Sequence, residues 1–336
     1  MIDHRTSILI ICTASMTVAP MGCTTPGHPL PRTEDGLIRT ATVPAHPWAP
    51  TGLPMFEGDT GLVATWSDLM QGVAGADVVV LGEEHDDEVA HRFQLAVVEQ
   101  TLASWPDTAI ALEMLERDEQ AAVDAYLTGT IDRDALLDAV TSSEGARSRF
   151  VEFYLPIVDA AARKGAAVVA ANAPRRFVTM GRVEGWETLA RRSETDRTLY
   201  VIPSSIHQGA YRRRLEALMQ EHDNDVDPDR VDAVLRAQQI WDATMADSTL
   251  NAYHDAGKVI LLVGRFHGDF AGGTIEVIHD RNPLVDVFYA STINEDRRAL
   301  QEADRDRADL VIYTGGAPRG SDPIDPMDDT PEEADS

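Results

Sequence analysis

Beyond residue 23 this chain of 336 residues has no cysteine. Cys12 and Cys23 are its two cysteines, so the remainder carries no disulfide, no thiolate metal ligand and no cysteine nucleophile. A metal there would have to rest on His, Asp, Glu or Tyr. Basic charge is scarce as well: 29 Lys and Arg stand against 56 Asp and Glu, a formal net charge of -27. Nucleic-acid binding needs clustered cations that displace phosphate counterions, so no nucleic-acid partner is expected. Also missing are a phosphate-cradling Gly-x-x-x-x-Gly-Lys run and a dinucleotide Gly-x-Gly-x-x-Gly run. Ser204-Ser205 lacks the glycine pattern of a nucleophile elbow, which argues against a serine hydrolase. After the amino terminus no apolar run reaches the roughly 18 residues that span a bilayer.

What is present begins with an export signal. His4 and Arg5 precede an apolar or small stretch from Ser7 to Val18, and Met21-Gly22-Cys23 closes it. A small residue ahead of a cysteine is the pattern of a lipoprotein processing site. Residues 1–22 are therefore expected to be a signal peptide, with Cys23 lipidated. One lipid would tether an otherwise soluble domain to a membrane, on its periplasmic or cell-surface side. Residues 23–58 are rich in Pro, Thr and Gly without a helical period and read as an extended tether. Residues 317–336 hold seven acidic side chains against Arg319 alone, and read as a disordered acidic tail. The domain is expected over 59–316.

Within it, apolar runs alternate with helical patterns. Ala76–Leu81, Thr108–Met114, Ala166–Ala171, Val259–Val263, Val285–Tyr289 and Leu310–Tyr313 are short continuous runs, as in strands buried on both faces. Helices are expected over Val89–Trp105, Phe150–Arg163 and Val231–Ala256, with shorter insertions at Asp118–Leu127 and Asp132–Val140. The alternation predicts an α/β fold: a mostly parallel sheet with helices on both faces. Such sheets bind ligands beyond the carboxyl ends of their strands.

Polar residues follow four of those runs. The first gives Gly82-Glu83-Glu84-His85, the second Glu113, the third Asn172 and Arg175, and a later one Gly264-Arg265-Phe266-His267. A parallel sheet brings these ends to one edge. Each glycine would permit a sharp turn and close ligand approach. Two imidazoles with one or two carboxylates can hold a divalent metal, bind haem iron or do acid–base work. His85 alone would be an ordinary loop residue. The second Gly-x-x-His and the costly carboxylate of Glu113 among Leu112, Met114 and Leu115 make a shared site the better reading. The candidate metal ligands are His85, Glu113 and His267. Tyr211 with Arg212, Arg213 and Arg214 is a local basic spot that could receive carboxylates such as haem propionates, with the phenol as an iron ligand, but by composition alone it reads as a solvated helix start.

Several of these runs resemble a known family. LGEEHDDEVAHRFQ (Leu81–Gln94) is similar to the Gly-Glu-x-His-Asp-Asn block of the ChaN-like haem-binding lipoproteins. ALEMLERDEQ (Ala111–Gln120), FYLPIVDAAARKGAAVVAANAPR (Phe153–Arg175), AYRRRLEALMQEH (Ala210–His222), AQQIWDATMA (Ala237–Ala246) and VGRFH (Val263–His267) follow in the family's order. There are departures: Asp87 and Glu88 replace an Asn and a Pro, and Ala90 replaces a His. The wider group resembles Tiki and TraB proteins and erythromycin esterases, which share the Gly-x-x-His pairs.

The resemblance implies a membrane-tethered protein that binds haem or iron, in the outer membrane or periplasm, and acts in haem or iron acquisition. Tyr211 matches a tyrosine that serves as a haem ligand, and arginines such as Arg212 and Arg175 would meet the propionates. Haem would sit at the strand-end mouth or between two subunits of a homodimer. The wider group implies the alternative: a hydrolase activating water through Glu83, His85, Glu113 and His267, with or without a divalent metal.

Overall fold

β-branched runs flanked by amphipathic helices set the architecture. The computed structural model describes residues 52–204, 208–222 and 226–315. Among them, eight strands form one sheet: β1 (Met55–Glu57), β2 (Val63–Ala64), β3 (Val78–Glu83), β4 (Ala109–Glu116), β5 (Val168–Asn172), β6 (Val259–Gly264), β7 (Val287–Ile293) and β8 (Leu310–Tyr313). Their order is β2-β1-β8-β7-β3-β6-β4-β5. From β8 to β5 neighbouring strands run parallel, while β1 is antiparallel to both β2 and β8. The expected α/β class and mostly parallel sheet are what the chain adopts.

Helices cover both faces. They include α1 (Trp66–Gly75), α2 (Glu88–Ser104), α3 (Leu155–Lys164), α4 (Arg175–Glu184), α5 (Ala210–His222), α6 (Pro228–Ala256) and α7 (Thr274–Arg281). Alternate strand residues point to opposite faces. Val79, Leu81, Ile110 and Leu112 pack with Phe93 and Leu102 of α2 and Ile157 of α3. Val78, Val80, Ala109 and Ala111 pack with Phe177 of α4, Ile240 and Met245 of α6 and Ile275 of α7. Two cores sharing one sheet explain why these strands are apolar throughout.

Several boundaries differ from the sequence reading. β1 lies inside the stretch read as a tether. Met55 and Phe56 are buried, and β1 pairs with β8, so the domain begins before residue 59. β7 runs on past Tyr289 through Ala290, Ser291 and Thr292. Its polar residues are buried but satisfied: Ser291 Oγ donates to Asp269 Oδ1 at 2.8 Å, and Thr292 Oγ1 to the Gly82 carbonyl at 2.8 Å. The helix expected from Phe150 opens as a π-turn over Phe150–Tyr154 before α3. At the free side of β5, the Gln120 amide donates to the Val168 carbonyl at 2.9 Å and accepts from the Ala170 N–H at 2.7 Å. Cys23 and residues 317–336 lie outside the described residues, as does most of 23–58.

Candidate functional site

β3 ends on Glu83, a fully buried carboxylate whose charge needs compensation. Three side chains supply it. Tyr154, from the π-turn, donates its hydroxyl to Glu83 Oε1 at 2.6 Å. His85 Nδ1 lies 3.0 Å from the same oxygen, and His91 Nδ1, from the first turns of α2, lies 3.0 Å from Oε2. His91 is stacked on Phe153 with ring centroids 4.1 Å apart, and its Nε2 is 3.2 Å from the His85 carbonyl. Both nitrogens of His91 thus face acceptors. Burial opposes charge on His85 and His91, yet Glu83, and for His85 also Glu113, outweigh it and raise both pKa values. Burial likewise opposes charge on Glu83, but His91 and His85 hold its carboxyl well below the usual carboxylate range. The His85 side chain is 24% exposed, so it stands at the mouth of the site while Glu83 lies under it.

Glu113, on β4, is buried beside β6. Its Oε2 accepts the Gly264 N–H at 2.5 Å, and its Oε1 is 3.5 Å from His267 Nε2. A Cβ on Gly264 would meet His85 Cε1 at 2.9 Å and Glu113 Oε2 at 3.5 Å. His85 and Glu113 therefore meet over that glycine, and His267 joins them through Glu113. Gly82 has a different task. A side chain there would collide with the Tyr289 hydroxyl, so the glycine makes room for a neighbouring strand rather than for a ligand.

His267 is fixed from its other side by Asp242 of α6, whose Oδ1 is 2.7 Å from Nδ1. The same oxygen accepts the Thr274 hydroxyl at 2.9 Å, and Oδ2 accepts the Tyr211 hydroxyl at 2.6 Å. Burial disfavours the imidazolium, but Asp242 and Glu113 on either side push the His267 pKa up to about 9. Burial and the Asp242 charge hold the Tyr211 phenol well above its ordinary value. Gly273 makes this packing possible. At φ 54° it adopts a backbone that favours glycine, and a Cβ would fall 2.9 Å from Asp242 Oδ1. Beside the Tyr211–Asp242 pair lies a cavity of about 250 Å³, walled by Val201, Ile202, Ala243 and Val277 and also by the polar Gln239, Glu276, Asp280 and Arg281.

Glu83, His85, Glu113 and His267 are brought together as the strand ends suggested. The metal reading is not supported: among the described residues no three His, Asp or Glu side chains are disposed to hold a metal ion. The donors are already committed, His85 to Glu83, Glu113 Oε2 to a backbone N–H, and His267 to Asp242. Arg212 does not face the site but pairs with Glu216 at 2.8 Å and with Asp232. Arg175 is exposed at the start of α4, its backbone N–H on Glu116 Oε1 at 3.0 Å. Asp242, His91 and Tyr154 are site residues that sequence reasoning missed. For Asp242 a signal existed: a carboxylate between Trp241 and Ala243 in the middle of a long helix, beside Ile240, Met245 and Ala246.

The family model for haem-binding uptake proteins of the Tiki superfamily, ChaN, matches residues 69–278, well over half of the chain. No curated protein matches. Among solved structures, ChaN of Campylobacter jejuni with cofacially bound haem is similar at a TM-score of 0.60 and 20% identity, over 78% of this chain and 96% of that one. The type III effector HopBA1 has a TM-score of 0.44 and 14% identity, over 79% and 97% of the two chains. An erythromycin esterase variant in its open conformation has a TM-score of 0.41 and 13% identity, over 71% and 76%. The likeness to ChaN of Campylobacter jejuni is one of fold.

Proposed function

The chain belongs to the ChaN haem-binding uptake family of the Tiki superfamily, and from that premise we propose that it binds haem iron through Tyr211 at the carboxyl edge of its sheet. The observation that carries this reading is the Tyr211–Asp242–His267 chain beside a cavity whose wall is part apolar and part charged. A phenol is a poor iron ligand while it keeps its proton. Asp242 Oδ2, 2.6 Å away, accepts the phenol's hydrogen bond, and its charge disfavours the phenolate until a cation at the phenol oxygen offsets it. His267 steadies the same carboxylate through Oδ1. An iron porphyrin would supply the Lewis acid that draws the phenolate out. Val201, Ile202, Ala243 and Val277 would keep water from the contact. The phenol donor and the apolar part of the wall fit the group.

Export, lipidation at Cys23, tethering to the envelope membrane, a role in haem or iron acquisition and pairing of two copies around the ligand belong to the same proposal. They draw support from the family and from Met21-Gly22-Cys23. A hydrolase using Glu83, His85, Glu113 and His267 has less support. A base that activates water must be neutral near the working pH, whereas both imidazoles are held toward their charged form. Haemin titration followed by absorption tests the reading. The wild-type chain should give a shifted, saturable haem band that Tyr211→Phe loses. An unchanged band and affinity in the variant would exclude Tyr211 as the ligand.

A further inference from the structure

The phenol oxygen that would meet iron is shut away in this structure. Tyr211 is 4% exposed, its hydroxyl donates to Asp242 Oδ2 at 2.6 Å, and its ring lies 5.0 Å from that of Phe266. The cavity beside it measures about 250 Å³. Pockets that enclose a drug-sized ligand run to roughly 300–1,000 Å³, and a porphyrin is a large ligand of that kind. A macrocycle cannot set its metal against Tyr211 while α5 lies where it does. On the haem reading, the helix that carries the tyrosine has to move.

The way α5 is held suits such a movement. No described side chain of α5 enters either core beside the sheet. Tyr211 and Leu215 pack instead in a satellite cluster with Val234 and Leu235 of α6, joined by Met219 and Phe266. Arg213, Ala217, Leu218 and Gln220 are exposed. Besides the Tyr211 bond, Arg212 ties α5 to Asp232 of α6, in a pair partly open to water, where salt bridges hold weakly. A helix with few buried apolar contacts belongs to the low-stability end of a fold. Its seat is imperfect as well. Arg214 keeps Nε and Nη2 buried without an acceptor, although the charges of Asp269 and Glu276 face it. The loop packed against it holds Phe270 at φ 60° and Ala271 at φ 51°, backbone that residues other than glycine rarely adopt. Gly209, immediately before α5, stands at φ 90° with open space where a Cβ would lie, so the chain can turn there.

We propose that α5 is a lid that swings on Gly209, lifting Tyr211 off Asp242 so that its phenol can meet the iron of a porphyrin. The proposal rests on the haem reading above. Opening breaks the Arg212–Asp232 pair and uncovers Leu215, Val234 and Leu235, apolar surface that a flat macrocycle can cover again. That exchange keeps the lid shut in the free protein and lets the ligand hold it open. Binding is then limited by opening rather than by encounter.

Rapid mixing of the full chain with haemin, followed by absorption, tests the lid. With rising haemin the wild-type rate should level off at a ceiling set by opening. Asp232→Ala cuts the tie and leaves Tyr211 and Asp242 in place. It should raise the ceiling roughly twofold to fivefold, the factor a surface ion pair is worth. In the haem-free chain, amide hydrogen exchange should open α5 ahead of the buried middle of α6, and Asp232→Ala should hasten α5 alone. Arg212→Cys with Asp232→Cys, in a chain whose Cys12 and Cys23 are replaced by Ser, lets a short bis-maleimide join α5 to α6. Joined, that chain should bind haemin at least about tenfold more slowly than before joining. Should it fail to fold, the Asp232→Ala ceiling decides alone. The lid is overturned if the joined chain binds as fast as the unjoined one, if the wild-type rate climbs without a ceiling, if Asp232→Ala leaves the ceiling unchanged, or if α5 is protected as long as α6. If the wild type binds no haemin at all, the haem reading has failed and the lid falls with it.

Discussion

One carboxylate ties two distant side chains together: Asp242 Oδ1 lies 2.7 Å from His267 Nδ1, while Oδ2 accepts the Tyr211 hydroxyl at 2.6 Å. Replacing it by Asn keeps the shape and removes the charge. His267 would then lose the first of the two carboxylates that hold its proton. Asp242→Asn should lower stability by roughly 3–5 kcal/mol, the cost of breaking a buried charged pair. The His267 titration, followed by NMR, should move down toward the ordinary histidine range. A midpoint that stays near 9 in the variant would show that Asp242 is not the cause.

The same group predicts how stability depends on pH. His267 binds its proton more tightly in the folded chain, at about 9 against 6.5 for the ordinary side chain. Its contribution is complete below about 6.5 and is lost as pH rises through about 9. Glu83 acts in the opposite sense. Its depressed carboxyl stabilises the fold above the usual value of 4.5, and that contribution is lost on acidification. The unfolding temperature should therefore fall by roughly 5 °C or more between pH 7 and 10, and the fall should shrink in Asp242→Asn. Thermal scans across that range check it; identical slopes in the two proteins would count against the coupling.

Gly264→Ala addresses the convergence at the strand ends. At φ -55° the backbone tolerates any residue, so the new methyl acts by contact alone. It would press on His85 Cε1 at 2.9 Å, and the ring must move. The expected cost is about 1–3 kcal/mol, with a changed His85 titration and an unaltered fold. A His85 NMR signal that does not move would place the ring elsewhere.

The parallel sheet and the meeting of His85, Glu113 and His267 were legible because short apolar runs and strand-end polar residues are local signals. What was hidden depends on partners far along the chain. Ser291 and Thr292 break the apolar pattern of β7, yet they fit there because Asp269 and the Gly82 carbonyl accept their hydroxyls. Gly82 and Gly264 look alike in sequence, and only packing shows that one yields to Tyr289 and the other to His85. Arg212, Arg213 and Arg214 form a single basic spot on paper. In the fold, Arg212 turns to Glu216 and Asp232, while two nitrogens of Arg214 are buried without an acceptor. Three residues of β1 were too few to register as a strand beside Pro54.

That short strand gives a further prediction. A chain beginning at residue 59 lacks β1, exposes the outer side of β8 and removes Phe56 from Tyr313, against which it packs edge-on at 6.0 Å. It should unfold several degrees below a chain beginning at residue 52. Equal midpoints by calorimetry would show that β1 contributes nothing to the fold.

Gln120 bears on how this molecule keeps company with itself. By occupying the Val168 carbonyl and the Ala170 N–H, its amide stands in for a ninth strand and blunts the β5 border. The opposite border is β2, two residues long and too brief to template a ladder. A second copy approaching either flank of the described sheet meets few vacant main-chain groups. Copies that associate would therefore do so through side chains on helices and loops, a contact that can form and release without unfolding a strand.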